Sequence, residues 1–322
     1  MEDIEKGEHL RLAPLEHWRE QQYLVSQELN DLAQKHATIS GGKFSVLNID
    51  PELHPAQKII TQSVDGNPSD TETLISLGRI VNESRPESIE SMIHEFIKLE
   101  DKQEYVSSLG EDLSAGQNII VITNHNEVQD IAEALASCHI ALNQVGSENN
   151  REYQFSTNIM LSKMIAHLGI HGMPVVDVLK QVCDKQYFSF PKTDSIRGTN
   201  IPEKLVTAYN WSLKQRIKTK LRGGGNLFGI APSGTLDKTS ESSQSHNQIV
   251  LAPVTDGTVE ILTSANTKVL PIAILKTPDE FVFEILGIPR HMRGADDVHQ
   301  MMKSIAEVLS SSSVKKDFVY SA

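Results

Sequence analysis

The chain has 322 residues, 39% of them apolar, and a formal net charge of −12. That length suggests about two domains with apolar mass for a core, and the acidity disfavours nonspecific nucleic-acid binding and spontaneous docking on anionic membranes. No run approaches the ~18 to 20 apolar residues of a membrane-spanning helix, so lipid contact is expected to be peripheral at most.

Met1 to Lys6 has neither an apolar leader core nor Arg-rich transit character, and the only cysteines, Cys138 and Cys183, fit packing roles in a reduced compartment. A cytoplasmic location is expected. Residues 10 to about 105 read as helical patterns (Leu15 to Lys35, Ser69 to Asn82, Ser88 to Leu99) punctuated by Gly41-Gly42, Pro51, Pro55 and Gly66-Asn67-Pro68. We expect a small helical domain over 1–105. From 106 to 322 strands and helices alternate, which predicts an α/β domain with a mostly parallel sheet covered by helices on both faces.

The β-branched run Ile119-Ile120-Val121-Ile122 reads as a buried strand ending at Asn124-His125, and a helix-compatible segment, Glu127 to Leu142, follows. Residues five apart on a helix point about 140° away from each other, so His125 must precede the helix if it is to meet Asp130. From there Asp130 can accept the Nδ1 proton and leave Nε2 as a general base. This is the His-Asp half of a hydrolase triad without a protein nucleophile, which suggests that the substrate supplies the hydroxyl. With 12 His and 42 Asp plus Glu in the chain, chance His-x4-Asp pairs are common, and the bland alternative is a helix-start His beside a solvated Asp.

Further along, Tyr153 to Leu168 reads as a helix. His167 and His171 have the i, i+4 spacing of helical metal ligands, but Gly169 weakens that helix and no Glu follows the first His, so no metal is expected. Trp211 to Arg222 carries the five cations Lys214, Arg216, Lys218, Lys220 and Arg222 and no acid. Leu213, Ile217 and Leu221 form one helical stripe, with Lys214, Lys218 and Arg222 on the next; such a run is a solvated face or a docking surface for an acidic partner. Gly223-Gly224-Gly225 precedes a strand and so reads as a connector, not a dinucleotide fingerprint. Leu227 to Ala231 is a short apolar strand running into Pro232-Ser233-Gly234-Thr235, and Thr239 to Gln248 reads as a polar loop. Val269 to Ile274 is an apolar run whose Pro271 suits an edge strand or a strand start. A nucleophilic role for Cys183 would need a lowered thiol pKa, and burial is the expected state.

The order strand-Asn-His-x4-Asp, strand-Pro-x-Gly-Thr, apolar-Pro-apolar strand resembles the glycerolipid acyltransferase superfamily over roughly residues 115 to 290. Ile230-Ala231-Pro232-Ser233-Gly234 looks most like its soluble glycerol-3-phosphate acyltransferases. In that branch the turn continues Gly-Arg-Asp-Arg, where this chain has Thr235-Leu236-Asp237-Lys238. The resemblance implies that Lys192, Arg197 and Lys238 grip the acceptor phosphate, with Lys192 and Arg197 the nearest match to the family's basic block. Arg offers a planar fork where Lys offers a point charge, so the altered turn implies either a changed grip or an acceptor other than glycerol-3-phosphate.

The implied reaction is acylation of a polyol-phosphate hydroxyl by an acyl carrier protein or coenzyme A thioester, with no bound cofactor. His125 acts as base, Asp130 orients it, and backbone N–H groups of Ser233, Gly234 and Thr235 or of the helix start face the oxyanion. The cationic stripe of Lys214, Lys218 and Arg222 is the candidate carrier-docking surface. An acyl thioesterase and a non-catalytic lipid- or carrier-binding protein are the alternatives.

Overall fold

The structure, a computed structural model, describes residues 100–125, 130–162, 169–170, 173–174, 182–190, 203–233, 238–239, 248–276, 281–311 and 317–320. The helical patterns expected over residues 10–99, like His167 and His171, lie outside these. The strands are β1 (Asn118–Thr123), β2 (Ser156–Ser162), β3 (Gly169–Ile170), β4 (Met173–Pro174), β5 (Lys185–Ser189), β6 (Asn226–Ile230), β7 (Lys238–Thr239), β8 (Gln248–Leu251), β9 (Thr267–Lys276), β10 (Phe281–Ile285) and β11 (Asp317–Tyr320). The helices are α1 (Glu100–Ser114), α2 (Asp130–Glu148), α3 (Glu203–Arg222), α4 (Asp256–Leu262) and α5 (Ala295–Ser311). Helix α1 runs without interruption through residue 105.

The main sheet has six strands in the order β10-β9-β1-β6-β2-β5. Neighbours from β9 to β5 are parallel, and β10 is an antiparallel edge. This is the expected mostly parallel α/β arrangement. Every residue of β1 and of β6 is buried, as a strand covered on both faces requires. On one face Ile119, Val121, Leu227 and Ile272 pack with Leu109 of α1 and Leu135 of α2. On the other, Ile120, Ile122, Phe228 and Ala273 pack with Leu213, Ile217 and Leu221 of α3 and with Met302 and Ile305 of α5. The apolar stripe expected on Trp211 to Arg222 is thus the buried face of α3. Gly229 lets α2 approach closely, since a Cβ there would lie 3.0 Å from Leu135 Cδ2. A second sheet, β11-β8-β7, lies downstream of β6 in the chain.

Three expectations are corrected. Residues 156–162 of the expected Tyr153–Leu168 helix are the strand β2. Thr157, Asn158, Ile159 and Leu161 are buried, and β6 and β5 flank the segment, so ladder pairing on both edges outweighs the helical spacing of its polar residues. Pro271 sits inside β9, an inner strand between β10 and β1. Its carbonyl accepts from Leu286 N at 2.9 Å. Because N and C=O of one strand residue face the same edge, its missing N–H faces beyond Ile285, where β10 has ended, and the β1 ladder loses no donor. Thr239, assigned to a polar loop, pairs with Ile249 as part of β7; residues 240–247 of that loop lie outside the described residues.

At the amino ends of the strands, three buried asparagines tie the sheet to α3. Asn118 Nδ2 donates to Leu221 O at 2.7 Å, and Asn226 Nδ2 donates to Asn118 Oδ1 at 2.7 Å and to Gly224 O at 2.9 Å. Asn158 Nδ2 reaches Asn226 Oδ1 at 3.3 Å. The amides thereby satisfy carbonyls at the α3 terminus that helix geometry leaves over. Gly224 turns there with φ +71°, where a Cβ would stand 2.4 Å from Gly116 O.

Cys138 and Cys183 are both free and buried, as expected. Burial pushes each thiol up to about 12, so both stay protonated and poorly nucleophilic near neutrality. His139 of α2 is also largely buried. Asn143 Nδ2 donates to its Nε2 at 2.9 Å, leaving Nδ1–H to donate to Thr157 Oγ1 at 2.7 Å. Burial lowers its pKa, and Asp184, whose Oδ2 accepts from Thr157 N, pulls the other way. The folded state therefore resists a proton that the unfolded chain takes up below about pH 6.5. Stability contributed by the neutral ring is present above that pH and lost as pH falls through and below it. We expect the wild-type Tm to drop between about pH 7 and 5 more steeply than that of His139→Gln, which has no titrating ring. Parallel Tm profiles would remove His139 as the source.

Candidate active site

The parallel strands put their carboxyl ends on one edge of the sheet, the usual site of crevices in open α/β folds. A small cleft opens there, lined by His125, Ile131, Met160, Leu161, Ser162, Ser189 and Ala231. These follow or end β1, β2, β5 and β6, apart from Ile131 in the first turn of α2.

His125 stands two residues past β1, outside the helix as the spacing argument requires, and is 4% exposed. Asp130 is the first residue of α2 and is 1% exposed. Residues 126–129 lie outside the described set, so the helix is described from Asp130 and not from Glu127. The solvated-Asp alternative does not hold, because this carboxylate is buried. Glu133, one turn on, is also buried at 4%, so the start of α2 brings a second acid into the site region. Sequence reading overlooked it because its position follows from helical phase only once Asp130 is known to start the helix.

Asn124 fixes the turn that carries His125. Its Nδ2 donates to Ile274 O at 2.7 Å, while Ile274 N–H donates to Asn124 Oδ1 at 2.8 Å. The side-chain amide thus imitates a peptide and adds one rung after the β1–β9 ladder ends at Thr123 and Ile272. Asn210 of α3 makes the same pair of hydrogen bonds to the backbone of Phe190, accepting from its N at 2.9 Å and donating to its O at 2.8 Å. That clamp holds the end of β5 immediately after Ser189. An Asn at a strand end was the available signal for the first clamp; the second joins residues 20 apart and has no local signature.

The expected substrate-binding residues divide. Ser233 follows β6, is 7% exposed, and belongs to a turn whose Pro232 O accepts from Thr255 N at 3.3 Å. Gly234, Thr235, Lys192 and Arg197 lie outside the described residues. Lys238 belongs by its backbone to β7 of the second sheet, in register with Val250. Among the described residues expected at the site, His125 is the one that lines the cleft.

The cationic stripe lies on α3. Glu260 of α4 pairs with Lys214 at 2.7 Å and Lys218 at 3.6 Å, and the Lys214 hydrogen bond holds its carboxyl below the usual range. Helix α3 runs antiparallel to the strands, and its last turn meets Asn118 and Asn226 at their amino ends. Adjacency in sequence to the second motif therefore puts Arg222 at the edge opposite the cleft, with Lys214 nearer to it. Among the described residues, no cluster of three or more His, Cys, Asp or Glu side chains could hold a metal ion, and no helix is long and apolar enough to cross a membrane.

No known protein-family model matches the chain, and no characterised protein is significantly similar to it in sequence.

Proposed function

We propose that the protein is a cytoplasmic O-acyltransferase that moves an acyl group from a thioester of acyl carrier protein or coenzyme A to a hydroxyl of a small phosphorylated polyol, glycerol-3-phosphate first among them. One observation carries this: the three motifs, far apart in the chain, occupy neighbouring parallel strands in the order β9-β1-β6. His125 follows the end of the middle strand, and the Pro232-Ser233 turn follows the end of its neighbour at the same edge.

In this mechanism His125 Nε2 takes the proton of the acceptor O–H, and the oxygen forms a bond to the thioester carbonyl carbon. Asp130, buried at the start of α2, orients the imidazole and stabilises its protonated form. Backbone N–H groups after β6 or at the start of α2 face the oxyanion, a helix N-terminus being favourable for negative charge. Collapse of the tetrahedral intermediate breaks the C–S bond, and the imidazolium returns its proton to the leaving thiolate. Lys192, Arg197 and Lys238 are the candidates for the acceptor phosphate.

The test incubates the protein with an acyl thioester and a panel of polyols with and without phosphate, reading released thiol against acyl product. Acyl ester matched to thiol supports transfer. Thiol release without ester would establish a thioesterase instead, and neither product would leave a binding protein.

The donor is open to its own experiment. An acidic carrier needs a positive patch on this acidic protein, and the α3 stripe offers one partly offset by Glu260. Charge reversal at Lys214, Lys218 and Arg222 should slow turnover of carrier-linked donor at low salt while leaving coenzyme A esters nearly unaffected, with Lys214 contributing more than the distant Arg222. Glu260→Gln should speed carrier-linked turnover. Unchanged carrier kinetics in the triple reversal would reduce the stripe to a solvated helix face.

A further inference from the structure

Ser162 and Ser189 end β2 and β5, are register partners, and both line the cleft that contains His125. By strand alternation they share the α3 face with Met160 and Tyr187, whereas Ile131 and Leu161 belong to the α2 face, so the cleft crosses the carboxyl edge of the sheet. Ser189 Oγ donates its one proton to Leu161 O at 3.3 Å across the strand pair. Its lone pairs are then what it offers to the cleft, and it can recognise only a hydrogen-bond donor. The Asn210 clamp on the backbone of Phe190 holds this hydroxyl in place from the next residue. A polar group so fixed is what orients a ligand in an otherwise apolar pocket.

Resting on the acyl-transfer function proposed above, we infer that Ser189, with Ser162 beside it, is a specificity determinant that accepts a hydrogen bond from a second, non-reacting hydroxyl of the acceptor. β5 stands three strands from β1, about 14 Å at ~4.8 Å per strand. An extended imidazole, a serine side chain and a short polyol between them span that gap. The substrate class is a phosphorylated polyol with at least two hydroxyls: one meets His125, and the other is read by Ser189. A monohydric alcohol phosphate of the same length lacks the donor and leaves the serine acceptor unfilled, the arrangement by which buried polar sites reject deoxy analogues.

The experiment compares kcat/KM for glycerol-3-phosphate and for 3-hydroxypropyl phosphate, which lacks the middle hydroxyl, using a coenzyme A ester as donor. Wild type should prefer glycerol-3-phosphate by about 5- to 10-fold, the effect of one neutral hydrogen bond. Ser189→Ala should bring that ratio close to one, and Ser189→Thr, which keeps the hydroxyl, should retain it. The ratio does not depend on the fraction of folded enzyme; should Ser189→Ala not fold at all, Ser162→Ala gives the same comparison and should reduce the preference. A wild type indifferent to the missing hydroxyl, or serine variants that keep the full preference, would overturn the assignment while leaving acyl transfer standing. A wild type that acylates neither acceptor would instead remove the function on which the assignment rests, and the assignment with it.

Discussion

His125→Ala should lower acyl-transfer turnover by roughly 10²- to 10⁴-fold, the range in which a positioned general base contributes. The ring lines the cleft at the end of a strand buried along its whole length. Its removal takes no side chain out of the apolar clusters on the two sides of the sheet, though it deprives the buried Asp130 of its proposed partner. The variant should purify folded, with an unchanged circular dichroism spectrum. Asp130→Asn should also impair turnover, because an amide in place of the carboxylate can hold the wrong imidazole tautomer. Folded His125→Ala protein with near-normal turnover would defeat the enzymatic proposal at its centre.

Asn226→Leu should have a large effect on stability. Leucine matches asparagine approximately in size but makes none of its hydrogen bonds, and position 226 is 1% exposed. The change removes the side-chain donor from Asn118 Oδ1, which keeps only the longer bond from the backbone N–H of residue 226 at 3.3 Å, and withdraws a donor from Gly224 O and from Lys220 O, the latter still bonded to Gly223 N. Three hydrogen bonds donated by the side-chain amide are lost at about 0.5 to 1.5 kcal/mol each, with a further cost where a carbonyl stays buried and unfilled, so a loss on the order of 3 kcal/mol is expected. For a domain of this size that corresponds to a Tm decrease of roughly 6 to 12 °C by calorimetry. Asn226→Asp, which keeps an acceptor in place of the donor, should not restore the loss. A Tm within a degree or two of wild type would mean that water replaces the amide network.

Much of the fold was legible because its central strands are apolar runs. Ile119 to Ile122 announced a buried strand and Val269 to Ile274 an apolar one, though its proline pointed to an edge, and the apolar stripe of Leu213, Ile217 and Leu221 announced the inner face of α3. β2 was not legible, because Asn158 and Ser162 interrupt its apolar character; Asn158 is buried by a ladder of amides from β1 and β6 that no local pattern encodes. At the site, His125 and Asp130 could be found because a strand-helix junction concentrates them within six residues of chain. Ser162 and Ser189 could not, since two serines on different strands become a pair only through register. Arg222 shows the opposite case: it is near β6 in sequence but far from the carboxyl end of that strand, because α3 runs back along the sheet.

Pro271 has a bearing on alignment as well as tolerance. In the observed register its ring nitrogen faces the side that β10 has vacated. A slip of β9 by one residue would turn that nitrogen toward β1, deleting a rung and driving the ring into a packed neighbour. The proline therefore acts as a detent: β9 can seat against β1 in one phase only. That phase is also the one that brings the peptide of Ile274 opposite the Asn124 amide. A ring that reacts with nothing thus selects, during assembly of the sheet, the alignment in which the histidine turn can lock.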